Sequence, residues 1–430
     1  MSFASALNNL QQQLRAVTAS QPGFLRLSAT VTDPSDGLAW LDAQPVWPKF
    51  FWQHRSGEQT LMALGEVQRA ETLQQARQLL LALPAEGCLV GANEFALQHC
   101  CLFLPRVLLR GNTLNVFLHG VLREEAQAAI GLIDRLLPAH PFESLPQRLA
   151  ACQHFPDSGG WEQQVAAALA AIRQGDLDKV VLARATDLHF TQAVNAAALL
   201  NASRQANRYC YHVMLAISPQ QAFLGSTPEQ LFHRHGLALN TEALAGTCAN
   251  ASDAHLAQQL GEALLNDEKN RRENGLVVED ICQRLESITS GLDVSPAHVV
   301  RLRKVQHLKR EIQGQLYQQD DMALLQRLQP TAAVAGLPRQ PAQQFIGQHE
   351  PFSRGWYAGS VGWLSAAESE FAVALRSAQV SGNRVRLYAG AGIVAGSEAS
   401  LEWQEINQKA AGLASLLGVE IASGSCPKSK

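Results

Sequence analysis

Six ionisable side chains between residues 179 and 409 have types and spacings that could do chemistry. In the segment 400–417, helical periodicity puts Glu402, Glu405 and Lys409 on one face, beside an apolar stripe of Ile406, Leu413 and Leu417. Carboxylates at the edge of a buried face are costly unless they are paired or bind a metal. The same spacing also allows a plain Glu405–Lys409 surface pair, worth roughly a few tenths of a kcal/mol. Glu273 lies between Leu276 and Val277 on a second helical segment, with Asp280 two turns on, although its stretch NDEKNRREN otherwise reads as a solvated face. Two helices that each offer a Glu could build an oxygen-rich Mg²⁺ site with positions left open for a substrate.

Lys179 opens a strand after GDLD. It is either an edge-protecting lysine or a partly buried amine whose pKa is lowered until it can take a proton. Glu229 follows a proline in GSTPEQL at a strand–strand junction, a position that usually just starts a strand. YAGAGIV (388–394) puts Gly390 and Gly392 on one side of a strand, where backbone can approach a ligand closely. It is not a dinucleotide fingerprint, because the third glycine is missing and no helix opens after it. No G-x-x-x-x-G-K-[ST], H-E-x-x-H or G-x-S-x-G occurs.

The elements that must position these groups follow from periodicity and breakers. Helices are expected over 1–20, 68–83, 123–137, 161–174 (closed by Gly175), 193–206, one long helix over 254–289, and 400–417. Strands are expected within 49–66 around Ser56-Gly57, over 179–190, 211–217, 222–226, 230–246 and 355–365, and in hairpins over 370–394 that turn at Gly382-Asn383. PAHPFESLP (138–146), with three prolines, is either a boundary or a surface loop, and the tail after 417 is expected to fray. Strands come in runs instead of alternating with helices, which predicts a mostly antiparallel α+β architecture.

Composition narrows the function. With 430 residues, 47% hydrophobic and 17% charged, the chain can bury a large core and is not a disordered sequence. Lys plus Arg is 35 and Asp plus Glu 38, a net −3, so no basic excess points to nucleic acid. The densest basic run, RLRKVQHLKR (301–310), reads as a solvated surface. The longest charge-free stretch, 209–228, carries His, Gln, Ser, Thr and two Pro, which argues against a membrane span. The N-terminus shows no basic region followed by an apolar one, so no signal peptide is expected. The eight cysteines form no C-x-x-C pair, and reduced thiols in a cytoplasmic protein are expected.

Taken in order, GDLDKVVLARA, FLGSTPEQLF, TEALAGT, NDEKNRREN, PTAAVAGLP, EPFSRGWYAGSVGW, RLYAGAGIV and EWQEINQKAAGL resemble the chorismate-binding enzymes, a family of isochorismate, salicylate, anthranilate and aminodeoxychorismate synthases. These motifs span about residues 175–415, while the less specific N-terminal part, 1–150 with FFWQHRSG, resembles the menaquinone-type isochorismate synthases. The resemblance implies one chorismate-binding domain over 1–430, with two packed, mostly antiparallel sheets flanked by helices and a cleft that takes chorismate and Mg²⁺. It implies Glu273 and Glu405 as metal ligands, with Glu402 nearby through water. It implies Lys179 as the base that activates water and Glu229 as the acid. Contacts to the substrate are implied for Gly246, Thr247, His307, Tyr357, Arg376, Gly390, Gly392 and Lys409.

Within the family, aminodeoxychorismate synthases carry a nucleophilic Lys where EALAGT has Ala245, and anthranilate synthases lack the Lys179 base and use ammonia. That leaves isochorismate synthase, probed against salicylate synthase only by Ala333, where salicylate synthases tend to have Thr. The expected reaction is Mg²⁺-dependent conversion of chorismate to isochorismate, opening menaquinone biosynthesis. A siderophore-pathway isochorismate synthase and an inactive chorismate-binding regulator are the other readings. No nucleic acid, membrane or obligate glutaminase partner is expected. The chemistry needs a protonated Glu229 to expel the C4 hydroxyl and a neutral Lys179 to deprotonate water, so burial is expected to raise one pKa and lower the other.

Overall fold

The computed structural model describes residues 2–32, 37–146 and 148–421; the end of the tail expected to fray, 422–430, lies outside them. Twenty strands are assigned among the described residues, and every pairing between them is antiparallel. They form one hydrogen-bonded ladder folded into two layers. One layer runs from Pro22–Thr30 through Thr113–Val121, Cys100–Arg110, Thr60–Ala70, Lys49–Gln53, Tyr211–Ser218, Gln221–Thr227, Ser377–Ser381 and Arg384–Ile393 to Lys179–Phe190. The other runs from Cys88–Asn93 through Ser360–Ser365, Glu368–Val373, Gln230–His235 and Ala238–Ala249 to Val305–Leu316. The strand Cys100–Arg110 belongs to both: one edge pairs with Thr60–Ala70, and the other is shared by Cys88–Asn93 at its start and Thr113–Val121 at its end. Its sequence CCLFLPRVLLR is an unbroken apolar run apart from its arginines, as expected of a strand buried on both faces, and it is buried along nearly its whole length.

The main core lies between the layers, where Trp52 of the first meets Trp363 of the second edge-on at 6.3 Å. A second core fills the outer face of the first layer. There Leu10 and Leu14 of helix Phe3–Arg15, Ala126 and Ala129 of helix Leu122–Ile133, and Leu199 and Leu200 of helix Ala196–Ala206 cover Leu188, Met214 and Leu224. Burial of this kind is the main drive of folding, at roughly 25 cal/mol per Å² of apolar surface. No helix among the described residues is long and apolar enough to cross a membrane.

Several elements form as their sequences predict. Lys179–Phe190 is a strand, Gly175 closes helix Ser158–Gln174 in the left-handed conformation (φ 82°), and the hairpin turns at Gly382-Asn383. Four expectations need correction. The helix over 254–289 is two helices, Ala254–Asn266 and Glu268–Leu285. Asp267 is extended between them, and its side chain accepts the N–H of Asn270 at 2.8 Å, so it caps the second helix. The strand Thr60–Ala70 runs on into the segment read as helical, which starts only at Leu73. RLRKVQHLKR is only in part a solvated surface: Arg301, Arg303 and Lys304 are exposed as read, but Val305, Gln306, His307, Leu308 and Lys309 are buried in a strand, because long-range pairing decides which part of a basic run is covered. Cys152 is disulfide-bonded, against the expectation of reduced thiols throughout. Spacing along a chain does not report which thiols the fold brings together.

Candidate active site

The residues singled out in the sequence converge. All of them except Lys179 and Asp280 line one cleft of about 170 Å³ between the strands and the two carboxylate-bearing helices. Lys179 stands immediately behind its wall. A larger cavity of about 920 Å³ opens near His54 and Arg204 and contains none of them.

The strand wall is built first. Lys179 is fully buried at the start of its strand and donates to Glu273 Oε1 at 2.8 Å. The neighbouring strand places Gly392 opposite Val181 and Gly390 opposite Ala183. A Cβ on Gly392 would stand 3.0 Å from Lys179 Cε, 3.1 Å from Glu273 Oε1 and 3.6 Å from Lys179 Nζ. The missing side chain therefore makes room for the ion pair and leaves the amine at the cleft wall. A Cβ on Gly390 would come within 2.8 Å of the Tyr357 hydroxyl. These glycines thus leave room for Lys179, Glu273 and Tyr357 at the cleft.

Glu229 sits at the junction of Gln221–Thr227 and Gln230–His235, 3% exposed, with no ion pair among the described residues. Burial and the nearby Glu242 push its pKa up to about 8, against the pull of Lys179, Arg376 and Lys409. The expectation of a raised acid holds. Tyr357 stacks on Tyr388 at 4.9 Å, and burial raises its phenol to about 12, so it stays a donor.

Thr247 and His307 face each other across paired strands, beyond a register shift at Gly246, whose φ of 85° favours glycine. Arg376 Nη2 lies 3.1 Å from His307 Nε2. A guanidinium only donates, so Nε2 accepts and the ring proton is on Nδ1, which donates to Thr247 Oγ1 at 2.9 Å. The Thr247 hydroxyl hydrogen is then free for a ligand. Burial and the Arg376 charge hold His307 well below the usual imidazole range, so it stays neutral. Arg376 itself has φ 48°, a strained conformation for a residue with a side chain.

The helix wall carries the carboxylates. Asn274 donates to Ala243 O, Ala245 O and Leu308 O at 3.2–3.3 Å, tying the Glu268–Leu285 helix to the strands. Burial raises the Glu273 pKa, but the charge and hydrogen bond of Lys179 outweigh it and hold the carboxyl below its usual range. On helix Ala399–Ala414, Lys409 Nζ pairs with Glu405 Oε1 at 2.5 Å and donates to Gly390 O at 2.8 Å. The i,i+4 pair exists, but inside the cleft and bridged to the strand wall. Glu402 is 6% exposed, and burial with the neighbouring Glu405 raises its pKa. Asp280 turns away to Arg284.

Sequence reasoning missed Asn270, whose Oδ1 accepts the Thr247 N–H at 3.0 Å, and Asn274. Both lie in the quoted NDEKNRREN, but nothing local marks an asparagine that ties a helix to a strand. Among the described residues no group of three or more His, Cys, Asp or Glu is close enough to count as a metal cluster. The donor set still fits a hard dication in kind. Three carboxylates face one cleft, and the buried Glu402 beside Glu405 is a like-charge pair that a cation would relieve.

Layered antiparallel sheets around such a cleft define a class, and the chain belongs to it: it matches the family of chorismate binding enzymes over residues 96–418. It is 50% identical over 429 residues to the isochorismate synthase MenF of Escherichia coli K12, covering 97% of this chain and 100% of that one. MenF of Haemophilus influenzae is 40% identical, over 97% of each chain. The solved structure of MenF, the menaquinone-specific isochorismate synthase from Escherichia coli, superposes with a TM-score of 0.94 over 97% of this chain and 100% of that one.

Proposed function

We infer that the protein is an isochorismate synthase, an isomerase that adds water at C2 of chorismate as the C4 hydroxyl leaves. The observation that carries the mechanism is the pair of buried proton-transfer groups in one cleft: Glu229, whose pKa of about 8 keeps it protonated at neutral pH, and Lys179 at the wall. Glu229 gives its proton to the departing C4 oxygen, which leaves as water. A neutral Lys179 can go on donating one N–H to Glu273 while its lone pair takes a proton from the attacking water. Return of that proton to Glu229 resets the site.

Arg376 offers two N–H groups to the enolpyruvyl carboxylate, and Tyr357 and Thr247 supply neutral donors. Glu273 and Glu405 would hold Mg²⁺, with Glu402 acting through water. When bound, the ion supplies positive charge that fixes the ring carboxylate. Ala245 and Ala333 both line the cleft: position 245 offers no lysine for a covalent route, and Ala333 supports release of isochorismate without further elimination. Similarity over the whole length to a menaquinone-specific relative supports a place at the opening of menaquinone biosynthesis.

Incubation of the protein with chorismate and Mg²⁺, followed by chromatography, tests this. Isochorismate is the expected product. Salicylate would move the assignment to salicylate synthase, and unchanged chorismate would overturn it.

A further inference from the structure

The peptide groups on both sides of Glu229 are held by one ion pair between half-buried Arg55 and buried Glu242. Arg55 comes from the turn between Lys49–Gln53 and Thr60–Ala70. Its Nη1 donates to Pro228 O at 3.1 Å and lies 2.8 and 2.9 Å from the two oxygens of Glu242. Glu242, 2% exposed within Ala238–Ala249, accepts the backbone N–H of Gln230 on Oε1 at 2.9 Å. Lys309 Nζ reaches its other oxygen at 3.0 Å. The carbonyl before Glu229 and the amide after it are therefore tied to the same two side chains. The peptide groups of Glu229 itself are taken as well: its N–H donates to Thr227 Oγ1 at 3.3 Å, and its carbonyl accepts from Val373 at 3.0 Å.

The charges that act on the Glu229 carboxyl are Glu242, Lys179, Arg376 and Lys409, and only Glu242 is negative. Buried ion pairs often add little net stability compared with apolar packing, so stability alone does not account for this one.

We propose that the Arg55–Glu242 pair is a positioning device for the catalytic acid: it clamps the peptide on each side of Glu229 and keeps a fixed negative charge beside its carboxyl. The proton is thereby aimed at the departing oxygen and retained until it is used. This rests on the reading of Glu229 as the acid. Arg55 and Glu242 act through Glu229 and are positioning residues.

Glu242→Gln keeps an oxygen for the Gln230 N–H but removes the charge, leaving Arg55 and Lys309 to favour ionised Glu229. The alkaline limb of kcat should move down by about one pH unit or more, with KM for chorismate changed by less than about twofold. Arg55→Lys keeps the charge on a shorter side chain and so loses the single Nη1 that bridges Pro228 O and Glu242, and should lower kcat roughly tenfold at unchanged KM. Glu242→Gln leaves two cations without their carboxylate, so its fold is checked by circular dichroism; if it unfolds, Arg55→Lys decides. A folded Glu242→Gln enzyme with the wild-type alkaline limb overturns the proposal, and so does an Arg55→Lys enzyme with wild-type kcat. Glu229→Gln is measured alongside. If it too turns over normally, the acid assignment has failed; if it is inactive while both clamp variants are normal, only the clamp has.

Discussion

The two walls of the cleft are built differently. On the strand wall, Lys179 and Glu229 are 0% and 3% exposed, and their backbones are locked into ladders and junctions. On the helix wall, the side chains of Glu273 and Glu405 are 20% and 30% exposed, and each is held by a lysine that could release it. Burial changes protonation, so groups that move protons gain from the dry, rigid wall. Magnesium sheds its water reluctantly, so carboxylates that meet it gain from a wall that water still reaches. We propose on this ground that the strands carry proton transfer and the helices cation binding.

The largest effect is expected from Glu405→Gln. Turnover at low Mg²⁺ should vanish while circular dichroism shows an intact fold, and raised Mg²⁺ should restore part of it. Near-normal activity at low Mg²⁺ would break the division of roles. Lys179→Ala should cost roughly 10²–10⁴-fold in hydration of chorismate, with no rescue by Mg²⁺. Retention of more than about a tenth of the rate, or 1.4 kcal/mol of barrier, would remove Lys179 as the base.

Glu229→Gln should lower turnover in both directions by roughly 10², with chorismate affinity little changed in a binding titration. In the unmodified enzyme the acid works only while protonated, so activity should fall as pH rises through about 8. Because Lys179 must be neutral, the profile should be bell-shaped, and its limbs belong to the coupled pair. The smallest effect is expected from Gly392→Ala, whose new methyl would press on Lys179 Cε at 3.0 Å. It should lower kcat about tenfold by displacing the amine, while thermal unfolding shifts little.

The site was legible in the sequence because its groups lie in short stretches whose local structure forms as read. Lys179 opens a strand rich in β-branched and apolar residues, and Glu405 and Lys409 share a helix face. What sequence could not show depends on distant partners. Arg55 and Glu242 lie 187 residues apart, and FFWQHRSG and TEALAGT each look complete without the other. His307 sits in a run of basic residues that reads as surface until strand pairing buries it. The long helix seemed continuous because only Asp267, an ordinary polar residue, interrupts it. The shared strand Cys100–Arg110 has no alternation to read, since both its faces are covered.

That shared strand also fixes how the molecule can deform. Because its hydrogen bonds run without interruption from one layer into the other, the layers cannot swing apart like the covers of a book without tearing the ladder between Thr60–Ala70 and Cys88–Asn93. The sheets form a stiff frame, and the compliant parts are the helix ends and the long side chains on them. At the cleft those side chains are Lys409, tied to Glu405 and Gly390 O, and the exposed Lys269 of helix Glu268–Leu285, 3.9 Å from Glu402.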